Sequence, residues 1–172
     1  MSTATDSAHD PVGDPGPRAH GGAAFLLTQL GAHAAARFAD RVATLGLTPP
    51  LTGLLAAIAR DPGSSQQLLA TRLGLLPSRV VSFVDELEER RLLRRERSSA
   101  DRRQYALHLT EDGQQMMRRI GKLARAHDHD LFQALNPAEH DRLVDLLARI
   151  ADQQELTPGV HPGYRQIGRP ER

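Results

Sequence analysis

Between Phe25 and Leu45 apolar residues recur at Leu27, Leu30, Ala34, Phe38, Val42 and Leu45, the spacing of three and four that gives a helix one apolar stripe. Gly46 supplies a stop. Thr48 followed by Pro49 predicts an N-cap and first helical position, and Leu51, Leu54, Leu55 and Ile58 give the second helix its buried face. Asp61-Pro62-Gly63 ends it. Ser64 with Gln67 three residues later predicts a capping box for a short third helix carrying Leu68, Leu69 and Leu73, which Gly74 closes. After the brief turn Gly74-Leu75-Leu76-Pro77, a fourth helix is predicted from Ser78 to Arg91, with Val80, Val81, Val84 and Leu87 inward.

Two short helices joined by a tight glycine-containing turn form a helix-turn-helix. Leu92 to Arg97 and Gln104 to Leu109 can pair as strands, the second alternating Tyr105, Leu107 and Leu109 against Ala106 and His108. Thr110 and Gly113 then open a long fifth helix whose stripe is Met116 or Met117, Ile120, Leu123, His127, Leu131 and Leu135. Asn136-Pro137 breaks it, and a last helix carries Leu143, Leu146, Leu147 and Ile150. The Pro- and Gly-rich segment 1–22 has too few large apolar side chains to repay ordering and reads as a flexible arm; 154–172 reads as a tail in which Tyr164 and Ile167 are the residues able to dock.

The expected fold class is therefore mainly α with a small β-hairpin. A length of 172 residues suits one domain with its own hydrophobic core. No cysteine is present, which excludes disulfides, thiolate zinc sites and thiol redox sensing. A net charge of +1 is uninformative for the whole chain, but seven arginines fall between Arg90 and Arg103 (90, 91, 94, 95, 97, 102 and 103) against the two acids Glu96 and Asp101. The sequence lacks a run of eighteen apolar residues and a basic leader, so the expected location is cytoplasmic, with no membrane partner.

The stretch LGLLPSRVVSFVDELEERRLLRRERSSADRRQYALHLTEDG combines a recognition helix, a Leu-Glu exit, an Asp-Arg-Arg loop and a Leu-Thr-x-x-Gly helix start. In this it resembles the MarR family of winged helix-turn-helix regulators, across residues 23–153. The resemblance implies a winged helix-turn-helix over 48–110, dimerisation helices over 23–47 and 111–153, and a sequence-specific regulator of transcription, a repressor relieved by a small ligand. It is not expected to be an enzyme; no HExxH, GxSxG, Walker or GxGxxG pattern occurs. The stripes of the first, fifth and sixth helices exceed what one such core can cover, which points to a homodimer and hence to a pseudo-palindromic operator in double-stranded DNA. The alternative is a non-sequence-specific architectural DNA binder.

A helix entering the major groove must expose small or hydrogen-bonding side chains near its start, and Ser78, Arg79 and Ser82 occupy that position. Arg79 is the candidate base reader, because a guanidinium can bond guanine O6 and N7 together. Ser65 and Gln66, at the start of the third helix, are candidate DNA contacts as well. The resemblance places Arg103 in the minor groove with Asp101 orienting it; Arg102 could equally take a phosphate. It also marks Arg91 as a departure, since family members carry glycine there, and Pro77 as another, where Ser or Thr is usual.

The AHDHD segment, Ala126 to Asp130, invites a metal reading, but His127 and His129 point about 200° apart on a helix and cannot chelate one ion. No metal or cofactor is expected. His33 and Arg37, one turn apart in the first helix, are the candidate effector contacts; the resemblance puts them near the cleft between the dimerisation and DNA-binding parts, where a small anionic or aromatic effector would suit them.

Overall fold

A computed structural model describes residues 21–97 and 105–161. The elements run α1 (Ala23–Ala43), α2 (Pro49–Arg60), α3 (Gln66–Leu73), α4 (Pro77–Glu89), β1 (Leu93–Arg97), β2 (Tyr105–Leu109), α5 (Glu111–Leu131) and α6 (Pro137–Gln153). The chain falls into two units, Met1–Ala35 and Ala36–Arg172. In the first, the opening turns of α1 expose Phe25, Leu27 and Leu30.

The core of the second unit is built where the apolar stripes predict it. Leu51, Leu54, Leu55 and Ile58 of α2 pack with Leu69 and Leu73 of α3 and with Val80, Val84 and Leu87 of α4. Leu93 and Leu107 close it from the hairpin, Val42 from α1 and Ile120 from α5. Each such side chain contributes roughly 1.5–3 kcal/mol by leaving water, so this cluster holds α2, α3, α4 and the hairpin in one body. Val81 departs from the expected inward face: it is 41% exposed, one residue past the stripe that Val80, Val84 and Leu87 define.

The helix ends follow local chemistry, with three shifts. The cap of α3 is Ser65 rather than Ser64: Ser65 Oγ accepts from Leu68 N at 3.2 Å. Ser64 is buried, with its hydroxyl directed at Asp61. The reason is tertiary. Leu107 N donates to Ser64 O at 3.1 Å and Gly63 N to Leu107 O at 2.9 Å, so the α2–α3 loop pairs with the outer edge of β2 and the helix starts one residue later.

α4 stops at Glu89, short of Arg91. Leu92 N donates to Leu87 O at 2.9 Å and Arg91 N to Glu88 O at 2.8 Å, the paired bonds of a Schellman ending, and Arg91 takes the left-handed φ of 58° that such an ending demands. β1 and β2 are antiparallel, with Leu93 opposite Leu109, Arg95 opposite Leu107 and Arg97 opposite Tyr105.

Thr110 caps α5 by accepting from Gly113 N at 3.0 Å, and its hydroxyl donates to Arg91 O. α5 ends at Leu131, so Leu135 of the predicted stripe lies in the following turn. Asn136 and Glu139 then form the capping box of α6. No residue of α6 is buried, and Val144, Leu146 and Ile150 stand exposed along it. Beyond α6, Val160 returns to pack against the core. Among the described residues no helix is long and apolar enough to cross a membrane.

Candidate nucleic-acid interface

The turn between α3 and α4 is fixed at every residue. Gly74 takes φ 63°, a left-handed cap that glycine adopts without steric cost. Leu75 is buried and donates to Ala70 O at 3.0 Å, Leu76 is extended, and Pro77 sits at the first turn of α4, where its missing N–H costs nothing. This geometry presents the start of α4 outward. Ser78 and Ser82 are exposed opposite the buried Val80 and Val84, and Arg79 is exposed on the flank of that face. Ser82 Oγ donates to Ser78 O at 3.2 Å, which leaves the serine oxygen lone pairs as acceptors. Arg79 has no ion-pair partner among the described residues, and its side chain is exposed.

Ser65 and Gln66 stand half-buried at the beginning of α3, on the side that meets β1 and β2. Ser65 is bridged to Ala106. Gln66 meets Arg95: with its carboxamide oxygen toward the guanidinium, it accepts from Nη2 at 3.1 Å and Nε at 3.3 Å. Asp101, Arg102 and Arg103 lie outside the described residues.

The arginine cluster is less free than a count between Arg90 and Arg103 implies. Arg95 pairs with Asp85 and Glu88, Arg90 with Glu86 and Arg94 with Glu96. Arg90 also donates to Gly46 O. The acids of α4 that neutralise this end of the cluster precede the counted window. Glu96 is held below the ordinary carboxylate range by its hydrogen bond from Arg94. Arg97 and Arg79 remain exposed. Sequence reasoning missed the role of Arg95; the signal was present as Asp85 and Glu88, ten and seven residues earlier, on the α4 face that meets β1.

A second cluster joins α1 to α5 within the second unit. Arg41 pairs with Asp130, whose carboxyl is held low by that hydrogen bond. Phe38 and His127 lie with ring centroids 5.6 Å apart, inclined at 56°. Burial first, then the positive charges of Arg41 and Arg37, push the His127 imidazole below its usual value. His127 is thus a packed side chain, while His129 is exposed. His140 of α6 packs edge-on against Phe132, and its Nε2 lies 3.1 Å from Asp128 Oδ2 without the alignment of a hydrogen bond. Of the two residues expected to meet an effector, Arg37 is exposed beside this cluster, and His33 is exposed on α1 in the first unit.

The helix-turn-helix, the two-stranded hairpin and the flanking long helices define a winged-helix protein. Residues 45–104 match the MarR family. A Thauera aromatica protein named for transcriptional regulation of the hcr operon is 40% identical over 123 residues, 71% of this chain and 74% of that protein. The structure of the transcriptional repressor CouR bound to a 23-mer DNA duplex is 35% identical, superimposes with a TM-score of 0.66, and is matched over 75% of this chain and 92% of its own. CouR from Rhodococcus jostii RHA1 bound to p-coumaroyl-CoA is 28% identical, with a TM-score of 0.62 over 74% of this chain and 90% of that one. The chain belongs to the MarR family of transcriptional regulators.

Proposed function

We propose that the protein is a homodimeric repressor that binds a pseudo-palindromic operator in double-stranded DNA sequence-specifically and releases it when a small ligand binds. The observation that carries this is the outer face of α4. Ser78, Arg79 and Ser82 project from a helix whose opposite face is anchored by Val80, Val84 and Leu87, so the reading side chains stand on a rigid support. The DNA-bound CouR at 35% identity supports the same use of the fold. Ser65 and Gln66 would flank that face, and Asp101, Arg102 and Arg103 would contact DNA from the hairpin loop.

Dimerisation follows from α6, a 17-residue helix with an apolar stripe and nothing buried, which a second copy of the chain would cover. For the ligand, Arg37 supplies an exposed positive charge beside the Phe38 and His127 rings, Arg41 being held by Asp130. An anionic aromatic molecule suits that chemistry, and p-coumaroyl-CoA on the Rhodococcus CouR is both aromatic and anionic. Such a ligand releases DNA only if it prefers a dimer whose recognition helices are wrongly spaced.

The test is selection and sequencing of duplexes retained by the purified protein, followed by binding against random competitor. A shared inverted repeat and a specificity ratio of about a thousand or more are expected. A steep salt dependence with no ratio would identify an architectural binder instead.

A further inference from the structure

Arg95 of β1 stands where three elements meet. Its side chain is only 21% exposed, its guanidinium pairs with Asp85 and Glu88 of α4, and its backbone N–H donates to Glu88 Oε1 at 3.3 Å. On its remaining side lies the carboxamide of Gln66, the first residue of α3, whose oxygen, when turned toward the guanidinium, accepts from Nη2 and Nε. The reversed carboxamide would set NH2 against guanidinium, donor against donor, so electrostatics fixes which end of Gln66 faces Arg95. A freely rotating glutamine offers an acceptor and two donors. This one has its acceptor engaged, and its N–H donors turn away from the guanidinium.

The two carboxylates more than offset the single charge of Arg95, which therefore adds no net attraction for DNA; what it supplies is geometry. α3 is the leading helix of the helix-turn-helix, the element that crosses the DNA backbone while the following helix enters the groove, and its N-terminal end favours negative charge. We propose that Arg95 is a positioning residue that holds Gln66 as a one-way hydrogen-bond donor to a phosphate oxygen of bound DNA, joining hairpin, recognition helix and the start of α3 into one unit. The proposal rests on the DNA-binding function proposed above. Fixing the carboxamide before DNA arrives removes rotamer entropy that binding would otherwise have to overcome.

The experiment measures affinity of the full chain for its selected operator and for a random duplex, with urea unfolding run on every variant. Gln66→Ala should weaken both duplexes by about tenfold and leave their ratio unchanged, as loss of a phosphate contact does. In an Arg95→Lys background the same substitution should cost less than about twofold, because an ammonium cannot hold Asp85, Glu88 and Gln66 with one planar fork. An equal loss in both backgrounds overturns the positioning role. A changed operator ratio overturns the phosphate assignment. Should Arg95→Lys fail to fold, Gln66→Glu decides: it keeps the acceptor for Arg95 and removes the donors, so stability should hold while affinity falls at least as far as for Gln66→Ala. Wild-type affinity in Gln66→Glu would overturn the proposal. If the wild-type chain binds no DNA, or Arg79→Ala leaves binding and sequence preference untouched, it is the DNA-reading function that has failed, independently of Gln66.

Discussion

A Cβ placed on Gly113 would sit 1.9 Å from the carbonyl oxygen of Leu92. The contact joins the first turn of α5 to the residue that closes the Schellman ending of α4, and Thr110 N donates to that same oxygen at 3.2 Å. A backbone carbonyl in a hydrogen bond cannot swing aside as the tip of a flexible side chain can. Gly113→Ala should therefore destabilise the fold by about 2–4 kcal/mol, well beyond the usual cost of a surface substitution. Urea unfolding at fixed protein concentration measures it; a loss under about 0.5 kcal/mol would show that α5 can shift freely from Leu92.

Arg91 carries a left-handed φ of 58° with a full side chain. Because left-handed backbone costs a non-glycine residue about 1–2 kcal/mol, Arg91→Gly should raise stability by up to about 1 kcal/mol after the entropy of a more flexible unfolded chain is counted. Arg91→Val, with a β-branched side chain at the same φ, should lower it. The two substitutions moving together would show that charge at position 91, and not its backbone, decides.

On the best operator Arg79→Ala should cost about 1–3 kcal/mol and relax preference at one base pair in each half-site. Arg102→Ala should weaken all duplexes alike and shallow the salt slope. Arg103→Ala should lose most where the operator flanks are A·T-rich, since a narrow minor groove concentrates negative potential, and Asp101→Ala should show a smaller loss of the same kind. Binding to operators that differ only in a half-site base or in their flanks separates these contributions.

The depressed His127 imidazole makes a signed prediction. Burial against Phe38 and the charges of Arg41 and Arg37 outweigh the opposing Asp128 and Asp130, so the folded chain takes up a proton at lower pH than the unfolded chain. As pH falls through about 6.5 the unfolded state gains its proton first, and stability is lost until the folded value is passed. The urea midpoint should drop between about pH 7.5 and pH 5.5, and His127→Gln should flatten that drop. An unchanged slope in the variant would assign the pH response elsewhere.

Helix stripes, the Gly74 turn and the hairpin were legible because each is written in local spacing. Leu51, Leu69 and Val84 are buried where their periodicity puts them. The cap at Ser65 was not, since it depends on β2 pairing with Gly63 and Ser64 across more than forty residues of chain. Nor was the neutralisation of Arg95, which needs α4 and β1 side by side. No periodicity singled out Val160, because a lone valine after Pro-Gly carries no pattern until the core it covers exists. Ser78, Arg79 and Ser82 were legible as an outward face for the converse reason: the buried Val80, Val84 and Leu87 on one side of α4 leave the rest of the helix to show.

The absence of any buried residue in α6 has a consequence for how the chain opens. Its own capping box at Asn136 and Glu139 steadies one end, but a helix of this length is marginal in water without tertiary cover. In a single chain, amide hydrogens of α6 should exchange with solvent far ahead of those of α4, whose Val80, Val84 and Leu87 are sealed in the core. Association would slow exchange in α6 and leave α4 nearly unchanged, so the ratio of the two rates, followed against dilution, reports residue by residue how much of the protein is alone.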